Sequence, residues 1–369
     1  MTPRFFPYSA LALIVCGTVL GAPSDDRGRI IPVVASTTTY GDLIDPGLNR
    51  DSCSSTLWAN DVLWVCRDTQ QAFANGSIGT HLVANTVSLS GLPSAPSNPI
   101  QLVLSSPQGY GPIFYAFEAD ECPQEGCGDG VCGPGICGDG TRWVNAYGFM
   151  AKQRLLGLSV VNATGYSLYH VTSQRPGVIP SAKMHINAFW SATQIGYGSA
   201  ASVVRNGFAY LYGATPDRKL AVARAALTGL LSSLEDHKIY EYYVNGTWAR
   251  TPPVNTDPTI VLPNTSAVQG TMYWSPKWQS YVWIGGDGFP NANFLISTAP
   301  KPEGPWSAPQ QFYSGVVGNG TLAAYSAVAH PDLTDGTGNY IFITWTKTHF
   351  DVDGIFNVYE QPLVRVDWQ

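Results

Sequence analysis

AASVVRNGFAYLYGATPDRKLAVARA, residues 200–225, reads as three short strands and two turns. Residues 200–204 and 208–213 flank Asn206-Gly207, a dipeptide that accepts the two positive φ values of a tight hairpin. A second turn at 216–218 leads into 219–225 and completes a meander. The same plan recurs at 270–274, 280–285 and 293–298, and again at 323–329, 340–346 and 356–366. The first two meanders end in a small-residue strand (LAVARA, FLISTA), followed by a loop that reaches Trp248 or Trp306.

Segments 55–89, 100–171, 198–243, 270–312 and 323–366 make five such units. One unit cannot bury both faces of its sheet, so units arranged around an axis bury them against one another. The reading is an all-β, five-bladed β-propeller, a single domain over 22–369. A two-sheet sandwich is the alternative and fits the meanders less well. Composition agrees: 12% aromatic, 38 glycines and 27 prolines with only 12% charged residues favour strands and turns over helices. Two stretches stand outside the repeat. Residues 228–238 carry Leu230, Leu231 and Leu234 at helical spacing, and 118–141 is an insertion rich in cysteine and glycine.

The N-terminus reads as a signal peptide over 1–21: Arg4, an apolar run at 10–15, then small residues at Gly21 and Ala22. A secreted, extracellular protein is therefore expected. The apolar run is too short to span a bilayer, which needs about 20 residues. In an oxidising compartment the remaining Cys53, Cys66, Cys122, Cys127, Cys132 and Cys137 read as disulfides, Cys53 with Cys66 across the first hairpin. The last four fall every five residues in CPQEGCGDGVCGPGICGDG. That spacing lacks the paired arrangement of zinc sites, so two local bridges pinning a loop are expected, with no metal centre. Asp129 and Asp139 leave calcium as the one cofactor to consider. Sequons at Asn75, Asn162, Asn245, Asn264 and Asn319 mark expected glycosylation.

A net charge of −6 argues against nucleic acid, which rewards a basic face, and leaves a neutral carbohydrate as an easy partner. No membrane partner and no obligate oligomer is expected. No Gly-x-Ser-x-Gly elbow, phosphate loop or His-Glu-x-x-His helix is present. The chemistry then falls to carboxylates. Asp51 and Asp68 bracket the first hairpin in RDSCSSTLWANDVLWVCRDTQ, residues 50–70, with the expected bridge just inside both. Facing carboxylates around a central pocket are what glycoside hydrolysis uses, one as acid and one as nucleophile or base. The plainer alternative is a turn cap at Asp51 and a local pair of Asp68 with Arg67 or Arg50. Glu118, near the end of the apolar stretch PIFYAFEAD (112–120), is a third candidate. Asp120, Asp217, Asp287, Asp351 and Asp353 are less specific. Arg142, Trp143, Trp190, Trp274, His330 and Trp345 are candidate substrate-binding residues, although most aromatics in a propeller pack between blades.

With the 50–70 stretch, YWSPKWQSYVWIGGD (273–287), LISTAPKPEGPWSAPQQFY (295–313) and YIFITWTKT (340–348) resemble a fungal branch of a five-bladed propeller family that includes bacterial endo-D-arabinanases. The blade signatures are also similar to those of arabinan- and xylan-active propeller glycosidases. The resemblance implies a glycoside hydrolase, on an arabinan-type glycan, whose paired acids match Asp51 and Asp68. The cysteine-rich insertion departs from the bacterial pattern. Two other classes remain: a propeller lyase with a base at His330, His81 or His185, and a noncatalytic sugar-binding or cell-wall protein.

Overall fold

The computed structural model describes residues 29–59, 61–91, 103–104, 114–115, 136–137, 145–156, 159–173, 177–227, 234–267 and 269–369. The signal-peptide reading, Glu118, Asp120, Cys122, Cys127, Cys132, Arg142 and Trp143 lie outside these residues.

Five antiparallel sheets form the blades of a β-propeller. Blade I contains Ser54–Trp58, Asp61–Cys66, Thr86–Ser90 and Val103–Leu104 from inside to outside. Blade II contains Ile136–Cys137, Asn145–Leu156, Ser159–Thr172 and Ser181–Ser191. Blade III runs Ala201–Arg205, Phe208–Ala214, Leu220–Ala226, Tyr240–Val244 and Thr247–Ala249, and blade IV runs Gly270–Ser275, Ser280–Gly286, Asn293–Ala299 and Gln310–Ser314. Blade V takes Ala324–His330, Tyr340–Phe350 and Pro362–Trp368 from the C-terminal end of the chain. Its outermost strand is Val34–Asp42, paired antiparallel with Pro362–Trp368 from Val34↔Trp368 to Asp42↔Pro362. The two ends of the chain thus close the ring in one sheet.

The three meanders read from sequence match blades III, IV and V, with Asn206-Gly207 forming the first hairpin turn at φ +51° and +77°. Three features differ. The closing strand escaped the repeat because it lies far from its blade in sequence. Residues 136–137, inside the stretch read as an insertion, form the innermost strand of blade II, with Cys137 opposite Tyr147. The helix expected over 228–238 is, in its described part, only 3-10 turns, including His237–Ile239 capped by the Asp236 side chain. No described helix is long and apolar enough to cross a membrane.

Large buried side chains fill the seams between blades, as close packing requires. Phe149, Trp190, Tyr197 and Tyr240 pack between blades II and III, and Phe294, Trp345 and Trp368 between IV and V. The seam between blades V and I is partly polar. His330 is fully buried, with Nδ1 2.8 Å from Ser55 Oγ and Nε2 2.7 Å from Thr344 Oγ1, and its ring lies 5.0 Å from that of Trp64. Burial pushes the imidazole down to about 3, so it stays neutral.

Innermost strands of neighbouring blades run in the same direction, because Ser326 meets Ser52 and, further along, His330 meets Ser55. All five therefore begin on one face, here called the upper face. The Cys53–Cys66 disulfide joins the first two strands of blade I at that face, with Cα atoms 4.0 Å apart. Its sequence separation is 13 residues, and a loop of that size is worth about 3 kcal/mol in the chain-entropy account. A Cys53→Ser, Cys66→Ser variant should lose about that much relative to wild type in chemical denaturation under oxidising conditions.

Candidate active site

Asp51 and Asp68 lie where blade I rises above the upper face. Leu48–Arg50 and Thr69–Gln71 form a two-stranded ladder there, with Arg50 opposite Thr69. One step further, the Asp51 N–H donates to the Asp68 carbonyl at 2.9 Å, and the Arg67 N–H donates to the Asp51 carbonyl at 2.8 Å. The ladder holds the two aspartates opposite each other immediately outside the disulfide. It exists because the chain enters and leaves the first hairpin side by side.

Donors gather around Asp51, which is buried. Its Oδ1 accepts from Ser52 Oγ at 2.5 Å and from Thr346 Oγ1 at 3.1 Å, and the Tyr325 hydroxyl also hydrogen-bonds to its carboxylate. Arg67 Nη2 lies 3.6 Å from Asp51 Oδ2 and donates to Ser52 Oγ at 2.8 Å. Blades IV and V complete the surroundings. Ser326 Oγ is 2.6 Å from Ser52 Oγ, and the Gln269 amide, oriented to satisfy both neighbours, donates to Ser326 and accepts from Arg67 at 2.9 and 3.0 Å. Burial raises the Tyr325 and Tyr359 hydroxyls well above the usual tyrosine range, and the negative field of Asp51 adds to it.

Asp68 is treated differently. Burial, followed by the charge of Asp51, pushes it up to about 6, while Arg67 pulls the other way. Two opposed carboxylates thus have unlike surroundings, the usual way a fold separates a proton donor from an acceptor.

Ser52 and Ser326 hold φ of +48° and +55°, the left-handed region that L-residues other than glycine, asparagine and aspartate seldom occupy. Ser326 lies in the irregular register between Tyr325 and Val328 in the innermost strand of blade V. Each such residue costs about 1–3 kcal/mol and persists where its surroundings over-determine it. Here the two strained serines meet beside Asp51.

The other sequence-derived candidates fall elsewhere. Trp190 is fully buried and donates to the Tyr197 carbonyl at 2.9 Å, and Trp345 is buried and donates to the Val316 carbonyl at 3.0 Å. His330 has both ring nitrogens engaged inside the blade V–I seam. All three are buried in seams between blades in this conformation. Trp274 is half-buried near the lower end of its innermost strand, with the Arg205 guanidinium 3.5 Å above its ring, away from Asp51. Asp217 accepts from Thr215 at 2.6 Å, and Asp351 caps the N–H groups of Ile355 and Phe356, so both do turn work.

Among the described residues no three potential metal ligands converge. The proposed calcium ligands Asp129 and Asp139 lie outside them, as does the Asn162 side chain. Asn75, Asn245, Asn264 and Asn319 are exposed. Sequence reasoning missed Gln269, Tyr325, Ser326, Thr346 and Tyr359, which no local pattern connects to the first hairpin. Arg67, beside Asp68 in the chain, was the one neighbour within reach.

Asp68 gives a stability signature with a defined sign. Its folded value of about 6 lies above the roughly 3.9 of an unfolded aspartate, so the native state binds the proton more tightly. The stabilisation is complete below pH about 4 and is lost as pH rises through about 6. Asp68→Asn should therefore gain stability relative to wild type between those values, on the order of 2 kcal/mol by pH 7. Paired denaturation curves measure it.

No protein-family signature and no curated protein matches this chain. Among solved structures, a protein of Bacteroides ovatus ATCC 8483 described as a "putative hydrolase" aligns with TM-score 0.60 and 19% identity, over 89% of this chain and 87% of that one. A GH43_1 enzyme from Xanthomonas citri aligns with TM-score 0.46 and 12% identity, over 91% and 90% of the two chains. The catalytic domain of a GH62 α-L-arabinofuranosidase from Coprinopsis cinerea gives 0.44 and 10%, over 92% and 98%. The last two are too distant to bear on chemistry. The first shows that this chain shares its fold over nearly its whole length with the Bacteroides protein.

Proposed function

We propose that the protein is a glycoside hydrolase acting outside the cell, with Asp51 and Asp68 as its catalytic pair. The observation that carries this reading is the pair itself: two carboxylates opposed on one ladder, one surrounded by donors and a guanidinium, the other raised to about 6. Asp68 is the proton donor to the leaving oxygen. Asp51 only accepts in its hydrogen bonds with Ser52, Thr346 and Tyr325, and acts as the nucleophile or as the base that activates water. Arg67 and Gln269 hold the Ser52–Ser326 contact and thereby orient Asp51.

The extracellular setting is supported by the apolar N-terminal stretch, the formed Cys53–Cys66 bridge and the exposed sequon asparagines. The resemblance noted in the sequence favours an arabinan-type glycan, with fungal kinship and endo-arabinanase membership as part of the same proposal. A monomer binding carbohydrate, without nucleic acid or membrane, fits the charge. A lyase would need an unencumbered base in the pocket, a role for which the buried His330 is unsuited.

Incubating the secreted protein with plant, fungal and bacterial polysaccharides tests the reading. Reducing ends should appear without absorbance from a new double bond, and Asp51→Asn and Asp68→Asn should each lower the rate by about 10² to 10⁴. Full activity in both variants would overturn it, and an unsaturated product would replace it with the lyase. With Asp68 as acid, kcat/KM should fall as pH rises through about 6, and Asp68→Asn should remove that limb.

A further inference from the structure

Away from the aspartate pair, blades II and III enclose an open cleft of about 230 Å³. Tyr166 comes from the third strand of blade II, and Ala192 and Gln194 from the link that carries the chain to blade III. Ala214 and the turn after it, together with Asn255, form the opposite wall. The strand directions put this link and this turn on the upper face, the face that carries Asp51 and Asp68.

The cleft is built to stay open and to hold its ring still. A Cβ on Gly196 would run into the Tyr166 ring, so glycine there is what seats the tyrosine. Gly165 holds φ +122°, and a Cβ there would strike the Trp190 carbonyl. The polar groups are half spent. Gln194 accepts the Ser191 N–H at 2.9 Å through its carbonyl, which leaves its amide N–H groups for a ligand. Asn255 donates its side-chain amide to the Ala192 carbonyl at 3.3 Å, which leaves its side-chain carbonyl. Its main-chain N–H is fixed on the Thr193 carbonyl at 2.9 Å.

No residue lining the cleft is charged. An anion would find no cation, a metal no carboxylate, and a purely apolar group would strand both amides away from water. One neutral donor, one neutral acceptor and a fixed aromatic ring between alanines suit vicinal hydroxyls and the C–H face of a neutral sugar.

We propose that this cleft is a second carbohydrate-binding site, holding neutral sugar residues of the polysaccharide whose bond is cut at Asp51 and Asp68. It rests on the hydrolase reading for the second half of that statement only. The site lies on the II–III seam, while the aspartates lie by the V–I seam, so a ligand engaging both must be a polymer that crosses the upper face.

The test combines binding and turnover on the full chain. In an Asp51→Asn background, arabino-, xylo- and galacto-oligosaccharides are titrated by calorimetry with and without Ala192→Phe, which fills the cleft from an exposed position and deletes no hydrogen bond. Gln194→Glu keeps the acceptor for Ser191 and removes the donor. Each change should weaken binding about tenfold, the equivalent of one lost polar contact or stacking face. In the active protein each should raise KM for polysaccharide and leave kcat/KM for short chromogenic glycosides unaltered. Unchanged binding in both variants overturns the proposal, as does an equal loss on short and long substrates. If binding is lost in the Ala192→Phe protein while nothing is hydrolysed, the hydrolase reading fails and the cleft stands. If hydrolysis depends on Asp51 but ignores Ala192→Phe, the cleft fails alone.

Discussion

Ring closure between Val34–Asp42 and Pro362–Trp368 is the interaction on which the remaining architecture depends. Each blade buries one face against the blade before it and the other against the blade after it. An open row would leave the outer faces of blades I and V in water, with Trp64, Val62, Phe342 and Leu363 among the side chains exposed. Pairing the two ends of the chain in one sheet fixes blade V, and blade V then covers blade I. The hydrophobic gain is spread over the seam, but the ladder supplies its register.

Closure also assembles the candidate site. Asp51 and Ser52 belong to the start of blade I; Tyr325, Ser326, Thr346 and Tyr359 belong to blade V; Gln269 leads into blade IV. Residues almost 300 positions apart in the chain, such as Asp51 and Thr346, touch only because the first and last blades are neighbours. The inequality between the two aspartates follows from this placement. Asp51 meets hydroxyls of Thr346 and Tyr325 contributed across the seam, besides Ser52 and the Arg67 guanidinium of its own blade, whereas Asp68 meets burial and a like charge, opposed by Arg67. One backbone ladder therefore carries two carboxyl groups with unlike surroundings.

Much of this was legible in the chain, for identifiable reasons. Meanders are local: Asn206-Gly207 sets one turn, and small residues such as Ala221, Ala223 and Ala225 mark a strand sandwiched between sheets. The Cys53–Cys66 pair and the two bracketing aspartates were readable because hairpin geometry brings together residues at short separation. What escaped were contacts made by closure. Nothing around Val34 marks it as belonging to the last blade, and nothing around Ser326 reveals a left-handed residue that reaches Ser52. Aromatic content is ambiguous for a physical reason. Trp190 and Trp345 suit sugar stacking by type, but their indole N–H groups are bound to main-chain carbonyls inside seams. His330 follows the same logic, with two hydroxyls occupying its ring and an indole packed beside it.

The closing ladder ends with the Gln369 N–H on the Val33 carbonyl at 2.9 Å, so the beginning and the end of the folded ring are hydrogen-bonded neighbours. The order of blades around the axis is consequently independent of where the polypeptide starts. A short covalent link across that junction, with the chain opened instead at an exposed turn such as Asn206-Gly207, would describe the same ring with the same seams. The ends of this closing ladder meet at the lower face, away from Asp51 and Asp68.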